Sequence, residues 1–318
     1  MYNEFDPKHY KGKWPCTTKT LYNEKTLIGR LHQYFLIYFE TFSVPTADTL
    51  FLLILSILTL EAAHSIWFLY QHFLSGITEK SLNVFYYACS YAKVDYSRFM
   101  NTTVRIALKL IPDSLQTQPV FLCVDDTMVS KFGTKFENVS KLFDHAAHNG
   151  SNYLNGHCFV SVMLCVPVWN GDKVFYLSVP LGYRMWQKKA PLNQTGSDRM
   201  KYIPLLLYSL RWNIETSYYE QKTFWSFCNY MVRSCKGIEM LVNLINISYC
   251  AMKILPYQNE HFSEYRTKSV QEFRFELSQG IRSQIFFATF VKNIETHIKS
   301  NAMTKALKQL IHQQVYHL

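Results

Sequence analysis

The dipeptide Asn170-Gly171 limits how this chain folds more than any other pair of residues. It lies between two apolar runs, His157 to Val168 and Lys173 to Tyr183, within Trp169-Asn-Gly-Asp172. Asn and Gly both tolerate the positive φ of a tight turn, so the two runs are predicted to pair as an antiparallel hairpin. A third run, Pro119 to Val124, precedes them and ends in Asp125-Asp126-Thr127. Being short, continuous and apolar, it reads as a buried central strand. The connection from Ser130 to Asn155 is polar and holds Gly133, Asn149 and Gly150.

Helical periodicity flanks this centre on both sides. The spacing of aliphatic and aromatic residues predicts helices over Thr26–Phe42, ended by Pro45, and over Thr49–Leu74, Thr78–Tyr91 and Ser97–Leu110. Beyond the hairpin it predicts Tyr202–Arg233 and Ile238–Ile254, the second stopped by Pro256. The expected class is α/β (α+β). The expected parts are a helical region over 1–115, a mixed α/β domain over 116–256 and a helical tail over 257–318. Leu50 to Leu60 reads LFLLILSILTL but meets Glu61 well short of the ~20 residues a bilayer requires. It is expected to be a core helix, and no membrane partner is expected.

With 48% hydrophobic and 16% aromatic residues, the chain is too rich in both to remain disordered. Lys and Arg outnumber Asp and Glu by 33 to 23, a surplus compatible with a polyanionic partner such as DNA. The 8 cysteines form no C-x-x-C pair, so a structural zinc site is not expected. Met1 to Lys13 is polar, without the apolar core of a signal peptide, and a reducing intracellular compartment is expected.

The chemistry-bearing residues gather on one predicted helix. Tyr208, Arg211, Glu215 and Lys222 stand at i, i+3, i+7 and i+14. At about 100° per residue they fall within an arc of roughly 60°. One stripe therefore carries a carboxylate between basic side chains. A solvated face with an Arg211–Glu215 pair would look the same, but Leu205, Leu206, Leu207, Leu210, Trp212 and Ile214 surround the stripe. A row of this kind suits a carboxylate that holds a divalent ion while cations grip phosphates.

Tyr-x2-Arg-x3-Glu-x6-Lys resembles the YREK signature of bacterial insertion-sequence transposases of the DDE superfamily, and Trp212-x-Ile214-Glu215 matches as well. The likeness extends to Val124-Asp125-Asp126-Thr127, to the strand–hairpin–strand unit, and to Tyr230, Arg233 and Ser234 beyond the helix. It covers roughly residues 30 to 256. The resemblance implies a ribonuclease-H-like mixed sheet flanked by helices, cutting and joining DNA with two Mg²⁺ or Mn²⁺ ions. It implies Asp126 and Glu215 as catalytic, metal-binding acids, with Asp125 on the opposite face of the strand. Tyr208, Arg211 and Lys222 would contact DNA. The implied partners are double-stranded DNA (terminal inverted repeats and target) and a second copy forming a homodimer on it. The implied location is the bacterial cytoplasm, at the nucleoid.

The family's second acid ends a further buried strand ahead of the signature helix. Between Tyr183 and Lys201 this chain has only RMWQKKAPLNQTGSDRM, which holds no apolar run to form one. Asp144, Asp172 and Asp198 follow no strand; Asp198 is the nearest substitute and also suits an N-cap of the next helix. An internal deletion is expected, leaving the sheet incomplete.

Overall fold

A computed structural model of the chain describes residues 22–133, 135–143, 152–186, 205–299 and 305, without the side chains of 205–211, 292 and 295–299. It divides into two units, residues 36–276 and residues 1–35 with 277–318. The fold is mixed α+β with an open antiparallel sheet.

The sheet is built on one long strand. β1 (Phe121–Ser130), β2 (Ser140–Phe143), β3 (Tyr153–Asn170) and β4 (Lys173–Met185) are all antiparallel, and each of the other three pairs with β3. The predicted β3–β4 hairpin forms, but its two-residue loop is Gly171-Asp172, one residue beyond the Asn170-Gly171 pair, with Asn170 opposite Lys173 and Gly171 alone at positive φ, 60. Two expectations are corrected. The expected mixed sheet is antiparallel throughout among the described residues. The expected central strand is an edge: β1 pairs only with β3 there, and Leu122 and Val124 are 65% and 68% exposed. An apolar run alone does not distinguish a strand covered on both faces from one with an open side.

The helices in chain order are α1 (Leu27–Leu36), α2 (Val44–Thr59), α3 (Ile66–His72), α4 (Leu82–Tyr91), α5 (Tyr96–Leu108), α6 (Leu205–Phe224), α7 (Cys235–Gln258) and α8 (Val270–Lys299). Several limits differ from the periodicity. Pro45 opens α2 rather than closing the helix before it, because a proline in the first turn gives up an N–H that no helix uses. The expected helix Thr49–Leu74 breaks in two. Ser65 Oγ accepts from Phe68 N and caps α3, while the Ala63 N–H and the His64 carbonyl bond to Ser226 Oγ and Met231 N. The expected Tyr202–Arg233 helix ends at Phe224, ahead of Ser226 at φ 60. Pro256 lies inside the last turn of α7, and its carbonyl accepts from Arg266 Nε. The polar connection also hides β2.

α7 is the spine of the larger unit and packs on β4, α2 and α4. By length and composition alone it could cross a membrane, but it is buried along most of its length, as is the 16-residue α2 that carries LFLLILSILTL. Two asparagines within α7 serve the irregular part of β4. Asn243 Oδ1 accepts from Tyr183 N at 3.0 Å, and its amide donates to the carbonyls of Tyr183 and Glu239 at 2.9 and 2.8 Å. Asn246 Nδ2 donates to Pro180 O at 3.0 Å. The sheet register shifts at Val162/Met163, where backbone groups lose their ladder partners, and the asparagines supply replacements.

Arg274 joins three parts of this unit. Its guanidinium donates to Phe224 O at 2.6 Å, to Ile57 O at 2.8 Å and to Leu60 O, and it stacks 4.1 Å above the Trp225 ring. The carboxyl ends of α2 and α6 are thus satisfied by one cation, as the helix dipole favours. Arg274→Met strands these carbonyls and should lower the unfolding free energy by ~3–5 kcal/mol in urea denaturation. Arg274→Lys should recover less than half, because an ammonium does not span all three acceptors.

Candidate functional site

β1 presents its two aspartates to opposite sides of the sheet. Residues directly opposed across a ladder share a face. Asp125 pairs with Ser161, and Ser161 with Tyr183; Asp126 pairs with Val160, and Val160 with Arg184. α6 covers the Asp125 face, where Gln221 Nε2 donates to Tyr183 Oη at 2.9 Å and Asn213 Nδ2 to Ser178 Oγ at 2.9 Å. Asp126 faces away from it, into a cavity of about 490 Å³ lined by Val124, Met128, Cys158, Val160, Phe143 and Trp186 among others. The Cys158 thiol donates to Asp126 Oδ2 at 3.2 Å. Burial first, and then the hydrogen bond to Asp126 and that carboxylate's charge, push the thiol up to about 12. Cys158 is therefore a neutral donor and not a nucleophile.

Two α6 side chains hold the helix to β1. Tyr218 Oη donates to Asp125 O at 2.9 Å, and Lys222 Nζ donates to Met128 O at 3.0 Å. Burial, followed by the charges of Asp125 and Asp126, raises the Tyr218 phenol far above its ordinary range, so it stays a donor. Glu215 is half-buried, one turn before Tyr218 and two turns before Lys222 on the same side of the helix. The structure thus brings Lys222, on the helix that carries Glu215, against the strand that carries Asp126. The carboxylate it sets on the α6 side of that strand is Asp125. Tyr208 and Arg211 lie on α6, but their side chains are outside the described residues, as are Asp144 and Asp198. Asp172 occupies the hairpin turn.

A second cluster fixes the segment that follows α6. Lys131, immediately after β1, donates to Cys228 O at 2.8 Å and to Tyr230 O at 3.0 Å, with its ammonium 3.6 Å from the Tyr230 ring centre. Burial pulls this lysine down to about 8. His157 Nδ1 lies 2.6 Å from Tyr230 Oη and its Nε2 2.8 Å from Glu137 O; burial lowers its pKa too. Tyr230 is therefore a buried strut. Sequence reading missed Tyr218, Lys131 and His157. Tyr218 carried a usable signal, since three residues after Glu215 it falls at the edge of the same stripe.

Carboxylates are the hard oxygen donors that Mg²⁺ takes. Among the described residues, however, no group of three His, Cys, Asp or Glu side chains is placed to hold a metal ion. The donor set described does not fit a two-ion centre. No family model, no curated protein and no solved structure matches the chain.

Tyr218→Phe deletes one buried hydrogen bond and should cost ~1 kcal/mol at neutral pH. The wild type's advantage should shrink above pH 10. There the unfolded phenol releases a proton that the folded one keeps, so the folded state binds more protons and stability falls as pH rises. Urea denaturation of both proteins at pH 7 and above pH 10 measures the difference.

Proposed function

We propose that this chain is a DDE-type insertion-sequence transposase of ribonuclease-H-like fold that acts on the DNA ends of its element. One observation carries the reading: α6, with Tyr208, Arg211, Glu215 and Lys222, is bonded to the acid-bearing strand β1 through Tyr218 and Lys222. The helix that bears the signature is thereby set beside the strand that bears the aspartates, which is the arrangement the resemblance implies. Two further features fit. The strand–hairpin–strand unit follows the order the resemblance implies, and the open side of β1 is where a further strand would pair. A net charge of +10 suits a phosphate backbone as partner.

A second reading has its own support. The described carboxylates do not make up a two-ion set, which favours a chain that grips the element's ends without cutting them. In both readings Arg211 and Lys222 hold phosphates. They part at Asp126 and Glu215, which matter for cleavage in the first and for nothing but charge in the second.

The test uses a labelled duplex carrying the terminal sequences that flank the gene. Binding should weaken steeply with salt, and Lys222→Ala should lower affinity by about tenfold and flatten the salt slope by about one contact. A salt-independent signal, or none, rejects both readings. Incubation with Mg²⁺ or Mn²⁺ then separates them. End cleavage that is lost with chelator, with Asp126→Asn and with Glu215→Gln supports the transposase, whereas an intact duplex under every metal supports binding alone.

A further inference from the structure

α6 carries a second polar stripe, turned away from Glu215 and Lys222. Asn213, Thr216 and Glu220 stand at i, i+3 and i+7. At about 100° per residue they lie roughly 140° around the axis from that other pair. With Phe175 and Ser178 of β4 and Lys253 of α7 they line a cavity of about 110 Å³. One wall is fixed by the bond from Asn213 Nδ2 to Ser178 Oγ at 2.9 Å.

Lys253 is poorly paired in this cavity. Among the described residues its one hydrogen bond runs to Tyr249 Oη, at a long 3.5 Å, and its ammonium lies 5.4 Å from the Tyr249 ring centre. An ammonium carries three N–H groups, which leaves two for the cavity. Tyr249 Oη in turn donates to Glu220 Oε2. A proton therefore has a continuous route from Lys253 through the phenol to a carboxylate. Burial pulls the lysine below its ordinary range, and the Glu220 charge, then those of Cys250 and Cys165, oppose that without reversing it. Lys131 makes the contrast. Burial lowers it too, to about 8, but it donates to two carbonyls and lies on the Tyr230 ring, so backbone already engages it.

We propose that Lys253 is a nucleophilic amine that forms a Schiff base with a small aldehyde held in this cavity. The space equals that of three or four waters at ~30 Å³ each, enough for about four heavy atoms. The ammonium passes one proton along Tyr249 to Glu220, and the freed lone pair attacks the carbonyl carbon. The C=O pair moves to oxygen, which takes a proton from the nitrogen. That hydroxyl then receives the Glu220 proton and leaves as water while the nitrogen pair closes C=N. One ammonium and one aldehyde become one protonated imine and one water. The reaction needs no DNA and does not rest on the function proposed above.

The test incubates the whole chain with propanal at pH 7, traps imines with cyanoborohydride and maps the adducts by peptide mass spectrometry. Lys253 should be modified at least about tenfold faster than Lys173 in the exposed hairpin turn, with Lys131 unmodified. The advantage should shrink toward pH 10, where exposed amines also lose their protons. Naphthaldehyde, too large for the cavity, should spare Lys253. Thr216→Phe, at an exposed position of α6 on the cavity wall, should block the propanal adduct with circular dichroism unchanged. Modification of Lys253 no faster than Lys173 overturns the proposal, as does an adduct that survives Thr216→Phe or forms equally with naphthaldehyde. Preferential modification of Lys131 also overturns it, since burial alone would then set the reactivity.

Discussion

The guanidinium of Arg274 is the point on which the larger unit turns. It reaches the last carbonyls of α2 and α6 together and lies on Trp225, so two helices far apart in sequence end at one cation. A buried charge is costly, and burial here pulls the arginine down to about 10, so three carbonyl acceptors and an aromatic face must offset that cost. Holding the end of α6 also holds its last turn. Lys222 is two residues short of Phe224, and its bond to Met128 O sets the helix on β1. Lys131 fixes the segment beyond from the opposite direction, through the carbonyls of Cys228 and Tyr230. Cations that donate to backbone carbonyls, together with the Tyr218 phenol on Asp125 O, position the candidate site.

That arrangement explains how adjacent aspartates acquire different surroundings. Strand geometry sends Asp125 and Asp126 to opposite faces, and α6 covers only one of them. Asp126, exposed above a cavity, keeps a thiol donor and solvent; Asp125 shares its face with a phenol that its own charge helps keep protonated. Any ligand held jointly by β1 and α6 meets Asp125 on the covered face, or passes round the open side of the strand to reach Asp126. Lys222 stands beside that open side, half-buried, with its ammonium already bonded to backbone.

The parts legible in the sequence are those governed by local rules. Gly171 places the hairpin because it opens the two-residue loop Gly171-Asp172 at a positive φ that glycine adopts freely. That Glu215 and Lys222 share one helix is legible because helical periodicity is rigid over several turns. What stayed hidden depends on distant partners. Leu122 and Val124 look like core until the other side of β1 is seen to be open among the described residues. Pro45 and Pro256 read as stops, but one begins a helix and the other is tolerated in a last turn, outcomes that turn on neighbouring carbonyls rather than on the proline. Arg274 looked like one charge among many in a helical tail. Nothing local distinguishes an arginine that binds water from one that closes two helices. The choice of Asp126 over Asp125 rested on resemblance and alternation; alternation holds, but it does not say on which face a helix 90 residues later will settle.

The core and the site also draw on different resources. Side chains left exposed on β1 forgo burial worth ~1.5–3 kcal/mol each, so this strand contributes less than its apolar sequence suggests. The stabilising mass lies instead on β3, β4 and α7, where the α7 asparagines repair the irregular strand and buried aliphatic residues fill both sides of the helix. A fold built that way does not need a neighbour on the far side of β1. A chain lacking such a strand would keep its hairpin, its spine and the helix that bears Glu215, and would lose only what that strand brought to the open side. Stability and the candidate site are therefore separable here: the first depends on α7 and Arg274, the second on the open side of β1, which Lys222 flanks.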